Sequence, residues 1–508
     1  MNQTFAQSIH FEEDILKLKI NSEKTFQTIH NFGASDAWST QFVGKYWPED
    51  SKKAIVKLLF STENKEDGSP EGIGLTAWRF NIGAGSTEQG IKIAKIRDEW
   101  RQAECFLTAD GTFNFNKQEG QQWFLKQAKA YGVNTFIGFV NSPPVFYTQN
   151  QKAWSDNGAR SNLLVGNYRR YANFLSEVVK GIQENTGVVF DYVSPFNEPQ
   201  WDWKCCKQEG SPWTNEEIVK AVKEIDFSFK EHQISSKIEL TEAAKIDYLY
   251  TTGDKPNRGS QIDYFFDEHS EGYVGHLKSV AQKVAGHSYF TTWGPKTLIN
   301  SRKVLRDKLS QTNLEYWMTE YCVLEDNKEI QGGGRDLGID AGLYVAKVIH
   351  SDLVFANASA WHWWLAISPY NYKDGLIYID KNKYGGRFYE SKMLWALGHY
   401  SRFIRPGMKR IESVRLDKKS DEETISGILQ SAYASKDEIV VVLVNQHYAN
   451  QKIQFLGVPK EFSKVETYIT TSDSNMNLKR TPVETNESSV ILLPKRSLMT
   501  CVFKKKEF

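Results

Sequence analysis

TFIGFVNSPP (residues 135–144), VGNYRRYANFLSEVVKGIQENTG (165–187) and DYVSPFNEP (191–199) follow one another as apolar run, amphipathic helix and apolar run. A strand that reads apolar on both faces belongs to a sheet covered on both sides, and covered sheets are parallel, with helices as crossovers. The same alternation extends in both directions. Upstream are HNFGAS (30–35), GLTAWRFNIG (74–83) and the helix QQWFLKQAKAYG (121–132). Downstream are the helix NEEIVKAVKEIDFSFKEHQ (215–233) and the runs KIELTEA (237–243), GHSYFTTW (286–293), EYWMTEY (315–321) and ASAWHWWLAIS (358–368). The count reaches eight strand–helix units, which predicts an α/β fold of the (β/α)8 TIM-barrel type with loop insertions. A doubly wound open sheet is the alternative.

After SRFIRPG (401–407) the texture changes. KRIESVR, ISGILQSAYAS, EIVVVLVNQ, QKIQFLG, KVETYITTS, SSVILLP and LMTCVFKKK are short alternating segments divided by turn residues, as in an antiparallel β-sandwich. The early strand-like run Ile15 to Ile20 has no place in the barrel and is expected to join that sandwich. The expected domains are therefore 1–30 (a segment joining the sandwich), 31–404 (the barrel) and 405–508 (the sandwich).

Bulk properties narrow the function. The chain has 508 residues, 40% hydrophobic and 25% charged, and no run long enough to span a bilayer. A formal net charge of +1 gives no electrostatic case for nucleic acid or an anionic membrane, so the expected partner is a neutral or weakly charged ligand. Aromatic residues reach 13%, with 15 Trp and 23 Tyr, and many fall near strand ends, where flat faces can stack on sugar rings. The five cysteines (105, 205, 206, 322, 501) show no metal spacing; free, partly buried thiols are the default. The N-terminus, MNQTFAQSIHFEED, has neither a basic n-region nor an apolar h-region. A mature extracellular or periplasmic form fits that, as does a cytoplasmic protein.

In a barrel of this kind the C-terminal strand ends build one open face. Arg79 falls on the second strand, Asn141 ends the third, Asn197 and Glu198 the fourth, and Glu242 the fifth. His287 and Tyr289 end the sixth, Glu320 the seventh, and Trp361 to Trp364 run along the eighth. Glu198 and Glu320 are the two carboxylates that glycosidic-bond hydrolysis needs, one protonated at the leaving oxygen and one facing the sugar carbon. Arg79 would offset one negative charge. A Tyr289 hydroxyl would keep Glu320 ionised, and repulsion from Glu320 would keep Glu198 protonated. Trp363 is expected to face the sugar, with Trp364 next, while Trp201 and Trp203 would serve as stacking platforms. NIGAGSTEQG carries Glu88 where a dinucleotide loop has its third glycine, and QGGGRD (331–336) lacks the Lys-Ser/Thr of a phosphate loop. No cofactor and no metal are expected.

The order of a GFGAS-like start, an Arg on strand two, SPP, NEP, HSY, TEYC and SRFIRPG resembles glycoside hydrolase family 30 of clan A over nearly the whole chain, nearest its endo-β-1,6-galactanase-like branch. The resemblance implies a retaining mechanism, a (β/α)8 barrel and a side β-sandwich built from both chain ends. It implies Glu198 as acid/base, Glu320 as nucleophile, Asn197 on the sugar 2-hydroxyl, Tyr289 on the nucleophile and Arg79 orienting it. Asp36 and a Trp of WHWW would line the subsite of the cleaved sugar; His287, Glu242 and Asn141 complete the expected substrate-binding set. The reading that follows is a retaining glycoside hydrolase of β-linked neutral glycans. A non-catalytic sugar-binding protein on the same fold and a transglycosylase are the alternatives.

Overall fold

The computed structural model describes residues 15–462, 464–480 and 490–505. The segment MNQTFAQSIHFEED (1–14) lies outside these. Strand β1 is Leu16–Thr28. The next eight are β2 (Asn31–Ser35), β3 (Ala77–Asn81), β4 (Thr135–Phe139), β5 (Tyr192–Ser194), β6 (Lys237–Ala243), β7 (Val280–His287), β8 (Glu315–Glu320) and β9 (Ala360–Ser368). Strands β2 to β9 pair in chain order and in parallel, and β9 pairs with both β8 and β2. Closure through Trp317 opposite Ala360 and Met318 opposite Trp361 makes the sheet a barrel and rules out the open alternative. Two short strands, β10 (Gly375–Ile379) and β11 (Phe388–Glu390), extend the sheet outside β9.

The crossover helices bury one stripe each. Helix Tyr168–Thr186 buries Tyr171, Ala172, Phe174, Leu175, Val178, Val179 and Ile182, which is the spacing of a single apolar face. Helix Asn215–Glu231 opens on a capping box in which Thr214 and Glu217 each satisfy the other's backbone. Helices Thr40–Tyr46 and Glu119–Ala130 meet at Gly44 and Gly120, where a Cβ on Gly44 would stand 2.2 Å from the Gly120 carbonyl oxygen. Only glycine permits that approach.

One barrel strand is displaced from its expected position. Of GHSYFTTW only Gly286 and His287 are strand; the strand is VAQKVAGH, ending at His287. Its Lys283 disguised it. That side chain is buried under the barrel, paired with Glu239, with its ammonium 3.2 Å from the centre of the Trp317 ring.

The second sheet contains β1, β12 (Lys409–Arg415), β13 (Ile428–Ala434), β14 (Glu438–Asn445), β15 (Gln451–Leu456), β16 (Lys464–Thr470), β17 (Asn477–Arg480), β18 (Val490–Leu493) and β19 (Ser497–Lys504). Its order is β17-β16-β19-β14-β13-β12-β1-β15-β18, so β1 sits between β12 and β15 and ties the chain start to its end. All its pairings are antiparallel except β1 with β15. The sheet folds over one core, since Phe455 on β15 and Phe503 on β19 touch at 5.3 Å although four strands separate them in the order. The SRFIRPG segment joins the two units. Arg402 donates to the carbonyls of Ser61, Thr62, Glu63 and Gly72, and Arg405 donates to those of Gly74 and Ser401.

Two cysteines depart from expectation. Cys205 and Cys206 form a vicinal disulfide, while Cys105, Cys322 and Cys501 are free and buried. An odd total argues against a complete framework but does not exclude a single pair, and adjacent positions supplied it.

Candidate active site

The strand ends bring three carboxylates, a histidine and an arginine into one contact network. Arg79 on β3 is fully buried and donates through Nη1 to Glu320 Oε2 and through Nη2 to Glu242 Oε1, both at 3.1 Å. His287, at the end of β7, lies 2.9 Å from Glu198 Oε1 through Nδ1 and 2.9 Å from Glu242 Oε2 through Nε2. Ser194 donates to Glu242 at 3.0 Å, and Thr319 adds another bond to the same carboxylate. Tyr289 donates its hydroxyl to Glu320 Oε1 at 3.1 Å. Oxygens of Glu198 and Glu320 and a ring nitrogen of His287 all lie within 4.8 Å of one another. Three such donors could hold a cation, but Arg79 and His287 already supply the positive charge there.

The backbone is bent to make this possible. Glu198 stands four residues past β5 with φ of 47°, and Glu242 has φ of 54°. Left-handed backbone at a non-glycine residue is uncommon and concentrates at functional sites. The Glu198 N–H donates to the Glu242 carbonyl at 2.9 Å, so the two bends hold each other.

Charge explains the titration of the cluster. Burial alone would lower His287, but Glu320, Glu198 and Glu242 outweigh it and raise the ring to about 10. Burial pushes Glu242 up, but Arg79 and His287 reverse this and hold it far below the usual carboxylate range. For Glu320 burial wins, lifting it above the ordinary value against the pull of His287 and Arg79. With His287 protonated, the network holds two cations and three carboxyl groups, so one further proton brings it to neutrality.

His287 makes a stability prediction. Its folded value of about 10 lies above the ordinary 6.5, so its contribution is complete below pH 6.5 and lost as pH rises toward 10. The denaturation midpoint of the wild type should fall more steeply between pH 7 and pH 10 than that of His287→Gln. Equal slopes would remove His287 as the source.

Above this network opens a cavity of about 400 Å³ lined by Asn197, Glu198, Trp201, Trp203, Gln208, Tyr289, Phe290, Glu320, Leu324 and Trp364. That is within the range of small-molecule clefts. Glu198 and Glu320 both reach it. Beside it, on the β2 to β4 side, lies a group of buried polar atoms with no hydrogen-bond partner among the described residues. They are Asp36 Oδ2, Trp38 Nε1, and both amide atoms of Asn81 and of Asn141. Asn197 Oδ1 is also unpartnered. Buried polar atoms are normally satisfied, so such a concentration marks a place where a ligand or water completes the bonding. Asp36 accepts from the Asn81 N–H and the Gln121 amide through its other oxygen, and burial outweighs these bonds and pushes it up to about 8.

Several expected residues are placed differently. Arg79, His287 and Glu242 do not line the cavity; both Arg79 Nη atoms, both His287 ring nitrogens and the Glu242 carboxylate bond to one another, to Glu198 and Glu320, and to Ser194 and Thr319. Trp363 is fully buried outside the cavity, with its indole N–H donating to the Asp374 carbonyl at 2.8 Å. Trp364 lines the cavity instead. A register shift where Ala34 and Ser35 pair with Trp363 and Leu365 inserts an extra residue in β9. Asn197, Glu198, Trp201, Tyr289 and Glu320 do converge on the cavity. Asn81, Trp38, Gln208 and Phe290 were missed. Asn81 had a signal, since it is two residues beyond Arg79 and therefore on the same strand face.

Paired carboxylates over a sugar-sized opening at the C-terminal face of a (β/α)8 barrel define the class, a barrel glycosidase. Sequence comparison agrees: the profile described as O-Glycosyl hydrolase family 30 matches residues 15–378, and the chain belongs to that family and is an O-glycosyl hydrolase. The crystal structure of a conserved exported protein from Bacteroides fragilis is 36% identical, with a TM-score of 0.89, over 96% of this chain and 99% of that one. An endo-beta-1,6-galactanase of Hypocrea rufa is 23% identical over 410 residues, 77% of this chain and 75% of the relative. A glucuronoxylanase of Bacillus subtilis is 24% identical over 389 residues, 75% of this chain and 76% of the relative. Among the described residues no helix is long and apolar enough to cross a membrane.

Proposed function

We propose that the protein is a retaining glycoside hydrolase that cleaves a neutral β-linked glycan, β-1,6-galactan or a related polysaccharide, outside the cytoplasm. The observation that carries this reading is the approach of Glu198 and Glu320 oxygens to within 4.8 Å across the cavity floor. Retaining enzymes hold their carboxyl groups about 5–5.5 Å apart, and inverting ones hold them roughly 6.5–9.5 Å apart to admit a water.

Glu320 attacks the anomeric carbon while Glu198 passes its proton to the departing oxygen. The glycosyl–Glu320 ester that forms is opened by water, from which Glu198 takes a proton. Both β-configuration and the starting protonation state are restored. Arg79 and Tyr289 donate to opposite oxygens of Glu320, which orients the attacking atom and opposes the upward push of burial on its carboxyl. His287 touches Glu198 and Glu242 and carries the positive charge that balances them. Asp36, held protonated by burial, offers a donor to a sugar hydroxyl beside Trp38, Asn81, Asn141 and Asn197.

Lining charge favours a neutral sugar. The ionisable carboxyl groups of the cavity are acidic, and its remaining lining is aromatic, amide or aliphatic. Among the described residues that line the cavity none is cationic, so the carboxylate of a uronic acid ring placed there would find no partner charge. The test is a panel of β-1,6-galactan, β-1,6-glucan and glucuronoxylan, with product sizing and the anomeric configuration of the first-formed sugar read by proton NMR. Release of β-anomer from a neutral glycan is expected. First-formed α-anomer would end the retaining reading, and cleavage of glucuronoxylan alone would end the neutral one.

A further inference from the structure

The two sides of the carboxylate pair are chemically unlike. On the β2 to β4 side lie the unpartnered polar atoms of Asp36, Trp38, Asn81 and Asn141, a set suited to reading the hydroxyls of one particular ring. The loops after β5 and β7 present aromatic faces instead. Trp201, from the loop that follows Glu198, stands edge-on to Phe290 at 5.9 Å between centroids. Phe290 in turn meets Trp293 edge-on at 6.1 Å. Phe290 is 38% exposed and Trp293 46%, so the row runs outward from the cavity wall into solvent. Trp203, on the same bank as Trp201, is fixed against Gly210, where a Cβ would collide with its ring at 2.3 Å.

The exposed rings are held rigidly. Phe290 has φ of 56°, and its loop is pinned on either side. Arg302, fully buried and paired with Asp352 at 2.7 Å, donates to the Thr291 carbonyl and to Ser288 Oγ, both at 3.0 Å. Thr292 donates to Glu325 at 2.6 Å. A strained, buttressed loop whose payload is two exposed aromatics is not explained by packing, because neither ring is buried. Preorganised aromatic faces bind a ring at little entropic cost.

We infer that Phe290 and Trp293, with Trp201 in edge contact with Phe290, form a leaving-group subsite that takes the sugar ring beyond the scissile bond by stacking. This deepens the proposed hydrolase reading and rests on it. The polar pocket then selects the ring that becomes attached to Glu320, and the aromatic row accepts the rest of the chain with little regard to its substituents. The enzyme is thereby suited to cleaving within oligosaccharides and not only to removing a small leaving group.

The test compares two leaving groups in Trp293→Ala, Phe290→Ala and the double variant. Matched pairs are a β-linked trisaccharide and the β-glycosyl fluoride of the same sugar, in the galactose, glucose and xylose series. Fluoride departs as an ion and fills no sugar subsite. For the pair that the wild type cleaves, kcat/KM on the trisaccharide should fall by about ten- to a hundredfold in the double variant, mostly through KM, with a much smaller fall on the fluoride. Equal falls on both substrates, or no fall on the trisaccharide, would overturn the subsite. If the loop of the double variant does not hold its fold, Trp293→Ala alone applies the same criterion at a solvent-exposed position. A wild type that cleaves no pair overturns the hydrolase reading itself, and the subsite with it.

Discussion

Replacing Glu320 by Gln should lower kcat at least about 10⁴-fold on every β-glycoside that the wild type cleaves, because a covalent nucleophile and its partners act as a unit. The amide is nearly isosteric with the carboxylate but cannot form the ester. It also meets two donors, Arg79 and Tyr289, with only one acceptor oxygen. The fold should survive, because Arg79 retains Glu242 and both lie in a wall fixed by β3 and β6. Circular dichroism and elution volume should match the wild type. A Glu320→Gly variant supplied with azide and an activated β-glycoside should form the α-glycosyl azide by direct displacement, since the anion occupies the emptied side. Near-wild-type turnover by the Gln variant, or β-azide from the Gly variant, would remove Glu320 as the proposed nucleophile.

The eight barrel strands were legible because a parallel sheet is buried on both faces, so most strands read as apolar runs. The exception, β7, shows the limit. Gln282 and Lys283 interrupt its apolar run, and nothing in the local pattern reveals that Lys283 is covered by Trp317 and paired with Glu239. The position of β1 in the second sheet was legible by elimination, since the barrel was complete without it. The pieces β10 and β11 fall outside the strand–helix alternation and were not read, nor was β17.

At the site, residue types were legible and orientations were not. Glu320 ends its strand as expected, while Tyr289 lies two residues past β7 and Glu198 four past β5, and all three still reach the cavity. Strict alternation along WHWW gives Trp363 and Trp364 opposite faces, and it holds: Trp361 and Trp363 face the outer layer while His362 and Trp364 face the barrel interior and the cavity, but alternation alone does not say which pair points inward. The tier formed by Arg79, Glu242 and His287 could be recognised as functional from sequence, but depth below a cavity is a property of three strands together. Phe290 and Trp293 gave no signal because exposed aromatics in a loop have no periodicity to break.

Removing the proposed acid/base should separate substrates by leaving group. In Glu198→Ala, hydrolysis of a β-linked oligosaccharide should fall by about 10²–10⁴-fold, the usual contribution of a positioned general acid. A β-glycosyl fluoride needs little protonation at departure, so formation of the Glu320 ester from it should be affected far less. The second step would then limit, because no carboxylate is left to activate water, and the ester should accumulate as a burst followed by slow turnover. Azide should restore turnover with the fluoride by attacking that ester, and two displacements in sequence give the β-glycosyl azide. The stereochemistry is thus opposite to that from Glu320→Gly, and the two experiments check each other. The loss of Glu198 also leaves His287 with Glu242 as its remaining bonded carboxylate, so its proton should leave at lower pH and shift the residual activity profile. Equal losses on oligosaccharide and fluoride, with no burst and no azide product, would assign Glu198 to binding and leave the acid to another group.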